Sequence, residues 1–135
     1  MAKKIQFGGE VLRAMELENG GLSLVTGSDF QVKTVSFGTA GSETGELDCG
    51  EGMRLVGYAI GTPLVTTSIS YKVGYTSGTR QQLYKDGAVL SDTVASSKNV
   101  SVDVAAFYPW RYVSFVAGTV QGGTAVSINA ILASI

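Results

Sequence analysis

Strict alternation of polar and apolar residues is the dominant pattern along this chain, and a period of two is what a β-strand needs to set one face in a core. Between Thr67 and Tyr75 the positions Ile69, Tyr71, Val73 and Tyr75 fall on one side, with Ser68, Ser70, Lys72 and Gly74 between them. Val100, Val102 and Val104 alternate with Ser101 and Asp103. Val126, Ile128, Ala130 and Leu132 do so to the C-terminus, where Ile131, Ala133 and Ile135 make the second face apolar as well. A strand apolar on both faces predicts cover from both sides near its end.

Further strands are predicted at Phe30 to Phe37, Met53 to Ile60, Gln81 to Lys85 and Tyr112 to Ala117, each bounded by glycine, proline or Ser/Asn/Asp turn residues. Asp86-Gly87 is the strongest hairpin signal, because a type I′ turn needs positive φ at both central positions. It predicts that Gln81 to Lys85 fold back on Ala88 to Leu90. In Glu10 to Glu18, Val11, Leu12 and Met15 fall at helical spacing, but the stretch is short and flanked by glycines, so helix and strand both stay open there. The rhythm of roughly eight to ten strands predicts an all-β fold and fits a single β-sandwich, a jelly roll or a small barrel. Residues 26–135 make up that sandwich and residues 1–25, with the weakest strand pattern, an N-terminal segment.

Composition adds to this picture in three places. Eighteen glycines against two prolines imply many tight turns, and 135 residues suit one core. Ten basic and eleven acidic residues give a net charge of −1, so no overall field draws in a phosphate backbone and nucleic acid is not expected as a partner. Cys49 is the single cysteine, so no intrachain disulfide forms and assembly in the cytoplasm is expected. Lys3 and Lys4 are followed almost at once by Gly8, Gly9 and Glu10, which is not the pattern of a signal peptide, and no run approaches the roughly 20 apolar residues of a membrane span. A soluble chain without a membrane partner is the expectation.

The chemistry on offer is narrow. The sequence has no histidine, which removes most nucleophilic triads, most zinc sites and the usual neutral-pH base. Glu43, Glu46, Asp48 and Glu51 are the densest acidic cluster, and alternation would put Glu46 and Asp48 on one strand face, where two carboxylates could hold Ca²⁺ or serve a glycosidase. A solvated, charged strand edge that discourages aggregation is the plainer reading of the same residues. Ser97-Lys98 reads as a loop, Gly118-Thr119 and Gly122-Gly123-Thr124 as turns without the lysine of a phosphate loop, and Cys49 as a buried structural thiol. No enzyme activity, metal or cofactor is expected. Phe107-Tyr108-Pro109-Trp110-Arg111-Tyr112 is the most distinctive local feature. It reads either as a glycan platform or interface hot spot, or as Phe107 and Tyr112 plugging one end of the sandwich at a corner set by Pro109.

The order of these passages resembles a known family. Gly45-Glu46-Leu47-Asp48 and Leu55-Val56-Gly57-Tyr58, then Tyr84-Lys85-Asp86-Gly87, the valine-alternating Asn99 to Val104, Phe107 to Val113, Gly118-Thr119 and a final apolar strand are together similar to small virion proteins of tailed bacteriophages, over residues 41–135. The resemblance implies a jelly-roll-like head decoration, or cement, protein, often a trimer, that sits on the capsid exterior with the major capsid protein as partner. The apolar residues Ile5, Phe7, Val11, Leu12 and Met15 are candidates for the capsid contact, and Tyr108, Trp110, Arg111, Ile131 and Ile135 for capsid or subunit interfaces. A tail, fibre or head-to-tail component with a receptor- or glycan-binding surface is the alternative, followed by a carbohydrate-binding module outside any virion and a carboxylate-dependent hydrolase.

Overall fold

The structure is a computed structural model and describes residues 30–134. The segment 1–25, with Ile5, Phe7, Val11, Leu12 and Met15, the open choice at Glu10 to Glu18, and Ile135 lie outside the described residues. The strands are β1 (Phe30–Phe37), β2 (Leu47–Asp48), β3 (Met53–Ile60), β4 (Ser68–Thr76), β5 (Thr79–Gln82), β6 (Tyr84–Lys85), β7 (Ala88–Val89), β8 (Ser91–Thr93), β9 (Asn99–Ser101), β10 (Tyr112–Ala117) and β11 (Val126–Ser134). A single helical turn, α1 (Val104–Phe107), precedes β10.

Two antiparallel sheets face each other. One has the order β1-β11-β3-β9; the other runs β2-β10-β4-β5, with β8 pairing the first half of β4 while β5 pairs its second half. The chain therefore crosses from sheet to sheet between β1 and β2, β2 and β3, β3 and β4, β8 and β9, β9 and β10, and β10 and β11. With β5 and β8 sharing one lane, this is an eight-lane jelly roll, one of the architectures that the strand rhythm allows and the one that the resemblance implies.

The core follows from the alternation. Ile69, Tyr71 and Val73 of β4, Val113, Phe115 and Ala117 of β10, and Val126, Ile128, Ala130 and Leu132 of β11 are all buried. In β3 the buried positions change parity, from Leu55 to Tyr58 and Ile60. A bulge makes this possible: Ile131 pairs with Gly57 but Leu132 with Leu55, so Val56 is an extra residue and both halves of β3 keep an apolar face in the core. The β3 strand also carries β9 close against it at Gly57, where an added Cβ would sit 2.8 Å from the Val100 carbonyl oxygen.

The rings of Tyr58, Tyr71, Phe107 and Phe115 fill the centre. Tyr58 and Phe115 meet edge-on at 4.8 Å between centroids, and Tyr71 meets Phe107 at 4.9 Å and 88°. The edge-to-face arrangement sets the positive rim of one ring on the negative face of the next. Phe107 reaches this cluster from α1, so the helical turn closes the end of the sandwich by inserting one fully buried ring.

Two sequence expectations change. Tyr75 was grouped with the core positions of β4 and is 81% exposed, because the strand runs past the core and its register with β5 slips between Val73 and Thr76. Val104 was grouped with Val100 and Val102, yet β9 ends at Ser101 and Val104 opens α1 on the surface. The Asp86-Gly87 turn is as expected, with φ of 55° and 81°, and closes the β6-β7 ribbon in the register Tyr84 to Val89 and Lys85 to Ala88.

Candidate interaction surface

The segment from Phe107 to Tyr112 is fixed from within and presents its remaining side chains outward. Phe107 is anchored in the core, and the Trp110 amide donates to the Phe107 carbonyl at 3.0 Å, which turns the chain at Pro109. Tyr108, 58% exposed, has its carbonyl held by Arg54 Nε at 2.8 Å. Phe107 thus plugs the sandwich as one reading of the cluster expects, whereas Tyr112 is only half-buried and Tyr108 stands in solvent.

Arg111 is committed to an ion pair. Its Nε and Nη2 donate to Asp48 Oδ1 and Oδ2 at 2.8 and 3.2 Å, its guanidinium lies 5.3 Å from the centre of the Tyr112 ring, and the Gly50 amide adds a bond to Asp48 Oδ1. The bond from Arg111 holds the Asp48 carboxyl below its ordinary pKa; burial opposes it, and the Gly50 amide adds a further lowering. Lys33 Nζ donates to the Asp48 carbonyl at 2.7 Å, tying β1 to β2 across the two sheets.

The acidic cluster divides. Asp48 goes to Arg111, whereas Glu46 pairs with Arg80 at 2.5 Å and Glu43 with Lys72 at 3.0 Å and Arg80 at 3.7 Å. Each of these three carboxylates has a basic partner from the second sheet or its flanking segment, and among the described residues no group of three His, Cys, Asp or Glu side chains is arranged to hold a metal ion. The Cys49 thiol is buried, and burial raises its pKa from 9.0 to about 11.

Trp110 is half-buried and forms one wall of a cleft of about 310 Å³ at the rim of the second sheet. The rest of its lining comes from the ends of β4 and β5 and from Tyr84, and includes Tyr75, Thr79, Gln81 and Leu83. Tyr108 does not line it, so the two aromatics singled out together in the sequence serve different surfaces. The third surface lies on the other sheet: Ile131, half-buried on β11, is paired in register with Val32 of β1, which is 62% exposed, and Phe30 beside it is 60% exposed. The structure thus separates Trp110 from Ile131.

The sequence does not disclose the partners of Trp110: alternation places Tyr75 on the same face as Ile69, Tyr71 and Val73, and Tyr84 reads only as a strand residue before a turn. The signal was Gly74. A Cβ there would lie 2.0 Å from the Thr79 carbonyl oxygen, so glycine permits the tight β4-β5 approach that carries Tyr75 beyond the core. Gln121, which directly precedes the Gly122-Gly123-Thr124 turn, is also buried: its Nε2 donates to the Pro63 and Thr124 carbonyls at 2.7 and 2.8 Å, and its Oε1 accepts from the Val65 amide at 3.0 Å. It pins two loops at the end of the sandwich.

The fold and these surfaces define a jelly-roll sandwich whose candidate functional features are exposed aromatic and apolar surfaces. Among solved structures, the chain is similar to the crystal structure of SPBc2 prophage-derived protein YomS, with a TM-score of 0.51 and 17% sequence identity over 82% of this chain and 99% of that one. At that identity the likeness concerns the fold. No protein-family model matches the chain, and no curated protein matches it in sequence.

Proposed function

We propose that this chain is a non-enzymatic structural protein of a tailed-bacteriophage virion that binds the capsid exterior and stabilises or decorates it. The observation that carries the reading is the shared sandwich architecture with a protein described as prophage-derived, which extends over 99% of that protein. It agrees with the motif order of residues 41–135. Exposed large apolar side chains on two surfaces, Phe30 and Val32 on one and Tyr108 on another, supply the contacts that assembly needs.

In this reading the protein is a homotrimer, with Ile131 and its neighbours on β11 covered by another subunit, and the N-terminal segment makes the capsid contact through Ile5, Phe7, Val11, Leu12 and Met15. Deleting residues 2–25 tests it. The truncated protein is expected to stay folded and trimeric but to leave capsids bare in a pull-down with the major capsid protein shell. Decoration at normal occupancy by the truncated protein would refute the N-terminal attachment.

A further inference from the structure

The cleft beside Trp110 has a chemistry of its own, and it does not depend on where in a virion the protein sits. We infer that it is a binding site for a neutral sugar ring. None of the side chains in its lining carries a charge. An ionic ligand would give up hydration there without gaining a counter-charge, which disfavours phosphates, carboxylates and ammonium groups. The cleft is not an oily slot either: Thr79 and Gln81 stand among Trp110, Tyr75, Tyr84 and Leu83.

Aromatic rings grouped with neutral hydrogen-bonding side chains are the complement of a pyranose. Its axial C–H face is weakly positive and stacks on the negative face of an indole or phenol, while the hydroxyls around the ring exchange bonds with amides and hydroxyls. The required groups are available. Among the described residues, the side-chain polar atoms of Trp110, Tyr75, Tyr84, Thr79 and Gln81 make no hydrogen bond within the protein, whereas Gln82 spends its amide on the Tyr71 carbonyl at 2.9 Å. A volume of about 310 Å³ is at the small end of ligand sites and suits one or two rings.

The walls are held rigidly enough to select a shape. Leu83 is buried, its amide bonded to the Tyr71 carbonyl at 2.9 Å, and the Leu90 amide bonds the Leu83 carbonyl at 3.0 Å. Lys85 pairs with Asp103 and so ties the ribbon bearing Tyr84 to the segment that precedes α1. On the other side, Trp110 follows directly from the anchored Phe107 turn.

Trp110 is the only tryptophan of the chain, so its fluorescence reports on this cleft alone. The full-length protein is titrated with glucose, galactose, N-acetylglucosamine, maltose, cellobiose and lactose, with N-acetylneuraminic acid and glucose 6-phosphate as charged counterparts and indole as an apolar probe. We expect a saturable change in intensity or wavelength with at least one neutral saccharide, at a Kd on the order of 1 mM, as for a small shallow site. Tyr84→Ala, an exposed position on the ribbon, should weaken that binding at least about tenfold while leaving the melting temperature within about 2 °C of the parent. No saturable response to any neutral saccharide, a stronger response to the charged sugars, or a response to indole only would each overturn the inference. So would undiminished sugar binding in Tyr84→Ala.

Discussion

At the scale of single residues, the central polar feature is a short chain of hydrogen bonds inside an aromatic core. Tyr58 and Tyr71 join their hydroxyls at 2.7 Å, and Tyr71 donates to Asp92 Oδ2 at 2.6 Å, which leads the chain to the sheet edge at β8. Burial raises the pKa of both phenols well above the ordinary value, so neither ionises in the folded protein under ordinary conditions. Tyr71→Phe strips a partner from both Tyr58 and Asp92 and should cost about 1 to 3 kcal/mol, whereas Tyr58→Phe leaves the bond to Asp92 intact and should cost less. Urea denaturation of the two variants gives the order. Gln121→Ala removes three bonds to backbone groups at one end of the sandwich and should cost a similar about 1 to 3 kcal/mol. Nothing in a glycine-rich stretch marks one glutamine as buried; only the convergence of the Pro63, Val65 and Thr124 backbones does.

Cys49 gives a pH-dependent expectation at the same scale. Its folded pKa is raised by burial from 9.0 to about 11, so the folded state holds the proton more tightly than the unfolded chain. Its contribution to stability is therefore complete below about pH 9 and is lost as pH rises toward 11. Thermal melts across that range should fall less steeply for Cys49→Ala than for the parent, and a thiol reagent should modify the parent only on unfolding. Asp48 runs in the other direction. Its pKa is lowered chiefly by Arg111, so the pair contributes above the ordinary carboxylate value and is lost as pH falls below it, modestly because both partners are partly exposed. The stability gap between the parent and Asp48→Asn should close in acid and in high salt.

At the scale of elements, β3 and β4 show how far a period of two can be read. Their spans were legible nearly to the residue because both faces differ sharply: β3 runs Met53–Ile60 as expected, and β4 runs Ser68–Thr76. Their irregularities were not legible, since a bulge depends on the partner strand. Val56 is extra only relative to β11, and Tyr75 is exposed only because the core stops beneath Val73. The two-residue β2 and the single turn α1 carry too few positions to show any period. Gly74→Ala tests this level: with Thr79 backbone 2.0 Å from the new Cβ, β4 and β5 must separate, at a cost of about 1 to 3 kcal/mol and with loss of the Trp110 cleft. Near-native stability of that variant would show that the β4-β5 approach is loose.

At the scale of the whole molecule, the jelly roll leaves an apolar surface on the outer side of β1 and β11, with Phe30 and Val32 exposed beside the half-buried Ile131, while the aromatic surfaces lie at the end and rim formed by α1 and the second sheet. Separate surfaces allow a subunit contact and a second contact at once, which is the arrangement that capsid decoration by a self-associating protein calls for. The exposed apolar and aromatic residues proposed as interfaces are legible in the sequence as types, through surplus apolar positions and clustered aromatics. Their distribution over two sheets was not, because it is set by strand order. The proposed role is tested most directly by co-sedimentation of the purified protein with capsids of the phage to which the proposal assigns it, stripped of small outer proteins, followed by reconstruction of the pelleted particles. The account predicts saturable binding with density on the outer shell at symmetry-related positions; protein that stays in the supernatant at saturating concentration would contradict it.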